Sequence, residues 1–251
     1  MPISKNKIKY IRSLEQKKFR REEGTFVAEG PKLTCDLLGH FHCRYLAATA
    51  DWLSAYSFLP ADVIETATRD ELERVSLLKT PQDVIAIFEQ RQERTDISVI
   101  GQQLCLALDD VQDPGNLGTI IRIADWFGIE HIFCSHSTVE VYSPKVVQAT
   151  MGALSRVHLH YVSLTELIGK LNKSMPVYGT LLGSTDIYSQ ELTATGLIVM
   201  GNEGNGITAE VRRLINRKLY IPNYPIGRDT SESLNVAIAT AIICAEFRRR
   251  M

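Results

Sequence analysis

The chain has 251 residues, 45% hydrophobic and 23% charged, and its 28 basic and 29 acidic side chains leave a net charge of −1. Such a balance excludes a disordered or fibrous chain and allows one large or two ordinary globular domains. With the total so close to zero, any polyanion-binding surface must arise from how charge is distributed along the chain.

The distribution is uneven from the start. Lys5, Lys7, Lys9, Arg12, Lys17, Lys18, Arg20 and Arg21 stand against the single acid Glu15 within the first 21 residues. The pattern predicts a basic helix able to neutralise phosphates. A second basic cluster, Arg248 to Arg250, lies at the other end. The opening MPISKNKIKY lacks a signal-like apolar core and VAIATAIICA (236–245) is too short to cross a bilayer, so a cytoplasmic protein is expected. Cys35, Cys43, Cys105, Cys134 and Cys244 are odd in number and widely spaced, which fits reduced core residues. Metal-ligand spacing is missing, since His40, His42 and Cys43 have no matching second pair.

After the basic helix, apolar strands at 25–30, 44–49, 62–66 and 83–90 alternate with helical stretches through Leu33 and Leu37 and from about Glu71 to Leu78. This is an α/β pattern. The polar run QRQERTDIS (90–98) is the linker candidate. Beyond it, LCLALDDV (104–111) reads as a buried strand ending in acids, and Asp113-Pro114-Gly115 breaks the chain. Asn116 is placed as the N-cap of a helix whose apolar stripe is Ile120, Ile123, Ala124 and Phe127. Arg122 lies off that stripe, one turn beyond Gly118, where an arginine is ordinarily just solvated.

GIEHIFCS (128–135) completes a right-handed β-α-β unit, and a helix is expected to begin near Ser143-Pro144. Further strands are expected at 157–162, 176–182, 196–201 and 218–222, before a C-terminal helix from about Glu232. Together they predict a mostly parallel sheet covered on both faces.

Two of these later stretches carry candidate chemistry. In GLIVMGNEGNGIT (196–208), Gly201, Gly204 and Gly206 follow GxxGxG instead of GxGxxG and the Walker lysine is absent, which argues against a nucleotide phosphate site. Glu203 in that loop would repel phosphate but suits a cationic group, a ribose hydroxyl or an arginine such as Arg122, and Thr208 is placed to cap the next helix. In YIPNYPIGRDTSESLNVAIATAIICAEFRRR (220–250), Pro222, Pro225 and Gly227 lead a strand into a loop, and Ser231 or Ser233 is placed to cap the closing helix. Capping is the ordinary role of Ser233 and Asn235.

In this order and spacing, NLGTIIR (116–122), MGNEGNGI (200–207) and IP followed by SLNVAIA (221–222, 233–239) resemble the three motifs of the SpoU, or TrmH-type, RNA 2′-O-ribose methyltransferases. YSPKVVQATMGAL (142–154) resembles their intermotif region, while FVAEGPKLTCDLL (26–38) and KTPQDVIAIF (79–88) look like the L30e-like substrate-binding domain that many of them carry. The resemblance implies an L30e-like α/β domain over 1–95 and, over 96–251, the α/β SPOUT fold with a C-terminal trefoil knot. It implies S-adenosylmethionine as cofactor, held at Thr180, Leu181, Gly183, Met200, Gly201, Gly204, Ile221 and Leu234. It also implies a homodimer with the site near the interface, no metal, no membrane, and RNA as substrate, ribosomal RNA ahead of transfer RNA. The loop NYPIGRDTSE (223–232) is a little longer than the family's, which leaves open which of its residues faces the ligand.

The implied reaction is in-line attack of a ribose 2′-hydroxyl on the cofactor's sulfonium methyl group. Arg122 matches the family's proposed catalytic arginine, with Asn116, Glu203, Ser233 and Asn235 orienting it, the ribose and the cofactor. To act as a base near neutral pH its pKa would have to fall by about five, costing on the order of 7 kcal/mol. A permanent cation facing the developing alkoxide or the adjoining phosphate is the cheaper role. Two alternatives share the fold: a SPOUT base methyltransferase, for which Asp229 is the nearby acid, and a non-catalytic RNA-binding protein.

Overall fold

The structure, a computed structural model, describes residues 3–92, 94–181, 185–225 and 233–250. In chain order the first elements are α1 (Lys5–Ser13), α2 (Lys17–Glu23), β1 (Thr25–Glu29), α3 (Pro31–Leu37), β2 (Cys43–Ala48), α4 (Ala50–Ser54), β3 (Ile64–Thr66), α5 (Arg69–Val75) and β4 (Val84–Glu89). There follow β5 (Leu104–Leu108), α6 (Pro114–Trp126), β6 (His131–Cys134), α7 (Pro144–Thr150), β7 (His158–Tyr161) and α8 (Leu164–Gly169). The remainder are β8 (Val177–Thr180), β9 (Gly196–Met200), α9 (Ala209–Arg212), β10 (Arg217–Leu219) and α10 (Val236–Arg249).

Packing divides the chain into two compact units, Met1–Gln92 with Glu140–Ser155, and Glu93–Val139 with Arg156–Met251. The cut after Gln92 falls in the polar run 90–98, but the segment carrying α7 packs with the first unit, where a continuous second domain from residue 96 had been expected. Aromatic contact accounts for part of this, because the Tyr142 ring lies 4.8 Å from that of Phe26 in β1.

Among the described residues the first unit has a four-stranded sheet in the order β1-β4-β2-β3, antiparallel except where β3 joins β2. The basic segment forms two helices instead of one. Tight backbone bonds from Leu14, Glu15 and Gln16 to the turn before them end α1, which drives Ile11 and Leu14 fully into the core. Gly24, at φ +63°, ends α2 in a left-handed cap that a side chain would strain. Helix α5 begins two residues earlier than the apolar pattern places it. Thr68 and Glu71 form a reciprocal capping box, a signal that apolar periodicity does not register.

The second unit has a six-stranded sheet, β10-β8-β9-β5-β6-β7, parallel throughout among the described residues. Every residue of β5 and β9 is buried, so both faces of the central strands are covered and the runs read as continuously apolar. From β5 the chain moves out to β6 and β7, and from β9 it moves to the other side, to β10 beyond β8. In an open parallel sheet a ligand crevice is expected where the connections diverge, at the carboxyl ends of β5 and β9.

Candidate active site

Each loop at that switch point is folded by local hydrogen bonding. After β5, Asp109 is buried and its Oδ2 accepts both the backbone N–H of Thr208, at 2.8 Å, and the Thr208 hydroxyl, at 2.7 Å. Thr208 is at the N-cap position of α9, yet its hydroxyl tethers the glycine-rich loop to β5 instead of capping. Asn202 closes the loop by pairing with Gly206 through both backbone bonds, 3.0 and 2.9 Å, and its side-chain amide donates to the Asp110 carbonyl at 2.8 Å. Gly201 is required for this fold-back, because a Cβ there would lie 2.3 Å from the Gly206 carbonyl carbon. Asp110 sits at φ +63°, uncommon for a residue other than glycine and a kind of strain concentrated at functional sites.

The N-cap of α6 is Asp113, not Asn116 as the sequence pattern suggests. Asp113 Oδ1 accepts from the Asn116 N–H at 2.8 Å, because Pro114 occupies the first helical position, where its missing N–H costs nothing. Asn116 is thereby freed for another task. Its Nδ2 donates to Glu203 Oε1 in the glycine-rich loop, and its Oδ1 accepts from Asn235 Nδ2 at 2.9 Å. Asn235 is itself the N-cap of α10, accepting from Ala237 and Ile238 N–H at 2.9 and 3.3 Å. The C-terminal helix thus starts later than expected, and the cap is neither serine: Ser233 does not cap it, and Ser231 lies outside the described residues. One side chain from each motif meets in a single polar hub. Helices α6 and α10 pack on each other around it.

Arg122 stands apart from the hub. It is exposed on α6, roughly 9 Å along the axis from Asn116, and among the described residues its guanidinium has no hydrogen-bond or ion-pair partner. Glu203 therefore holds Asn116 and not Arg122. Ser233 is exposed just before the cap. Of the expected cofactor residues, Met200 ends β9 and is buried, Thr180 ends β8, and Leu181 N–H bonds the Leu219 carbonyl at 2.9 Å. Ile221 is half-buried beyond β10, Gly204 N–H is held by Asn202 Oδ1 at 2.9 Å, and Leu234 is 46% exposed. Gly183 and Asp229 lie outside the described residues.

One group of contributors has no local signature in the sequence. Arg250 donates to the carbonyls of Ile187 at 3.2 Å, Tyr188 at 2.7 Å and Gln190, in the connection that follows β8. The same connection pairs with Tyr220 through Thr185 and Ile187, so the C-terminal end of α10 braces the approaches to both Leu181 and Ile221. Glu246, buried on α10, is paired with Arg249 and Arg250, which hold its carboxyl down to about 2. The closing arginines are thus occupied internally, Arg248 included, which donates to the Phe127 and Gly128 carbonyls at 2.7 and 3.0 Å. All five cysteines are free thiols, and burial pushes Cys43, Cys105 and Cys244 up to about 12. Among the described residues no group of His, Cys, Asp or Glu is arranged to hold a metal ion.

A parallel α/β sheet with a glycine-rich loop and a polar hub at its switch point is the setting of a ligand crevice, and it carries no dinucleotide fingerprint. Comparison with known proteins supplies the family. The SpoU rRNA methylase family matches residues 103–245, and the MRM3-like substrate binding domain matches residues 5–86. The chain belongs to the SpoU rRNA methylase family. It is 29% identical, over 96% of both chains, to the 23S rRNA (guanosine(2553)-2′-O)-methyltransferase RlmP of Bacillus subtilis. Its structure is similar to that of a TrmH-family RNA methyltransferase from Porphyromonas gingivalis, with 41% identity, full coverage of both chains and a TM-score of 0.90. It is also similar to the AdoMet-bound rRNA methyltransferase from Sinorhizobium meliloti, with 32% identity, coverage of 97% and 94%, and a TM-score of 0.81.

Proposed function

We propose that this chain transfers the methyl group of S-adenosylmethionine to the 2′-hydroxyl of a ribose in ribosomal RNA. The observation that carries the reading is the junction of Asn116, Glu203 and Asn235, which joins the three family motifs at the switch point of a SpoU-family sheet. The site suits the cofactor on its own chemistry. Asp109, Asp110 and Glu203 surround the ends of β5 and β9, an acidic setting that favours a sulfonium cation and opposes a phosphate-bearing nucleotide. Thr180, Leu181, Gly183, Met200, Gly201, Gly204, Ile221 and Leu234 would hold it, largely through loop backbone and apolar contact.

When bound, S-adenosylmethionine supplies an electrophilic methyl group on sulfur. The protein must align the hydroxyl and manage its charge. Arg122, an exposed guanidinium without a partner among the described residues, serves as the permanent cation for the developing alkoxide or the neighbouring phosphate. Asn116, Glu203 and Asn235 fix the starts of α6 and α10, and Ser233 orients the ribose.

The same reading includes a division of labour between residues 1–95, which grip the RNA, and 96–251, which carry the chemistry. It includes a homodimer, supported by Trp126 at 85% and Ile238 at 53% exposure on the two packed helices α6 and α10, an apolar area that a second copy would cover. A C-terminal trefoil knot and a cytoplasmic setting belong to it as well. Among the described residues no helix is long and apolar enough to cross a membrane. The test is nucleoside mass spectrometry of ribosomal RNA from cells with and without the protein. Loss of one 2′-O-methylnucleotide is expected; loss of a base methylation, or no change, would overturn the ribose assignment.

A further inference from the structure

We infer that the solvent face of α1, carrying Lys5, Lys9 and Arg12, is a track for the sugar-phosphate backbone of the RNA substrate. This rests on the reading of the chain as an RNA methyltransferase and names a surface that the reading leaves open. The first support is geometric. Helix α1 is fixed to its unit by Ile11, fully buried, with Ile8 beside it, whereas Lys5, Lys9 and Arg12 fall at i, i+4 and i+7 along one row of the helix and are all exposed. Three cations therefore line about 10 Å of one helix face.

The second support is how the fold uses three of the other cations of this segment, while Lys17 and Arg21 are exposed on α2. Arg20 is buried against Glu140, Lys18 pairs with Glu22, and Lys7 lies 4.5 Å over the Tyr45 ring. Among the described residues the side chains of Lys5 and Lys9 have no ion pair or hydrogen bond. Arg12 makes one bond, to the Arg74 carbonyl at 3.0 Å, which orients its guanidinium without neutralising it. The helix contains no acid at all. Like charges at i, i+4 destabilise a helix, so the face persists against a repulsion that a bound polyanion removes. Because the apolar side of α1 is already buried, the helix has no face left to insert into a lipid surface.

The experiment measures binding of the full chain to purified large-subunit ribosomal RNA across a salt series. Each phosphate contact contributes roughly 0.7 to 0.9 to the slope of log K against log salt, so the triple variant Lys5→Gln, Lys9→Gln, Arg12→Gln should lower that slope by roughly 2 to 3. Melting temperature and S-adenosylmethionine affinity should stay at wild-type values. A charge-keeping triple, Lys5→Arg, Lys9→Arg, Arg12→Lys, should retain the slope, and Lys18→Gln, which removes a cation already paired, should not change it. An unchanged slope in the glutamine triple overturns the proposal, as does an equal drop in Lys18→Gln. Wild-type protein that binds S-adenosylmethionine but methylates no ribosomal RNA would instead overturn the parent reading, leaving the salt slope to judge the track.

Discussion

Arg20 in the first unit and Arg122 in the second are both helical arginines, and the fold treats them in opposite ways. Arg20 is 3% exposed, donates to the carbonyls of Leu14 at 2.8 Å and Glu15 at 2.6 Å, and pairs with Glu140. Every bond it forms ties one segment of its unit to another: α2 to the turn after α1, and both to the stretch that leads into α7. Arg122 is exposed and, among the described residues, its guanidinium ties nothing. A guanidinium enclosed by acceptors is structural cement, whereas one left open beside a ligand crevice keeps its field for a ligand. The same contrast separates the closing arginines, which serve internal carbonyls and Glu246, from Lys5, Lys9 and Arg12 on α1.

The comparison breaks most sharply at Arg20. Arg20→Met should destabilise the protein by about 3 to 5 kcal/mol, because Glu140 is left largely buried without its cation, and urea unfolding reads the loss directly. Adding Glu140→Leu should recover much of it, since no buried charge then remains unpaired. Arg122→Ala should leave urea stability within about 0.5 kcal/mol and lower single-turnover methyl transfer by about 10² to 10³. Full activity in that variant would remove Arg122 from the mechanism, and Arg122→Lys separates charge from the planar fork. Next in size is Asn235→Ala, expected to cost about 1 kcal/mol as a lost cap and also to slow methyl transfer. Asn235→Ser should restore much of the stability but not the rate, because a hydroxyl caps but is too short to reach Asn116.

The strands of the second unit and their mostly parallel sheet were largely legible, because strands buried on both faces leave continuous apolar runs such as Leu104–Leu108, whereas their order was not. Of the site, the residue identities were legible through the motif resemblance, but their partnerships were not. Asn116 reads as a cap because it follows Pro-Gly at the start of an apolar stripe. Asp113 also fits, and only the fold shows that it takes the cap while Asn116 turns to Glu203 and Asn235, 87 and 119 residues away. The bracing by Arg250 and the enclosure of Arg20 are equally long-range, at separations of 63 and 120 residues. No local periodicity encodes such pairs. A cluster of like charges in sequence accordingly says little about which of its members will face solvent.

The smallest expected effect tests whether a buried acid follows the same division. Glu29 is buried at the end of β1, accepting from the Ser76 hydroxyl at 2.5 Å and the Leu77 N–H at 2.7 Å, and burial raises its pKa above the ordinary glutamate value of 4.5 despite both bonds. A carboxyl whose pKa is raised by folding contributes stability that is fully present below its unfolded pKa and is lost as pH rises through its folded one. Glu29→Gln keeps an oxygen for the Leu77 N–H and removes the ionisable proton. Urea unfolding of the two proteins from about pH 4 to about pH 7 should therefore show wild type losing ground to the variant as pH increases. If wild type gains ground instead, the two hydrogen bonds outweigh burial, and Glu29 is held as an anion in the manner of Glu246. In that case buried acids in both units are fixed by their donors, and only the cations divide into enclosed and open classes.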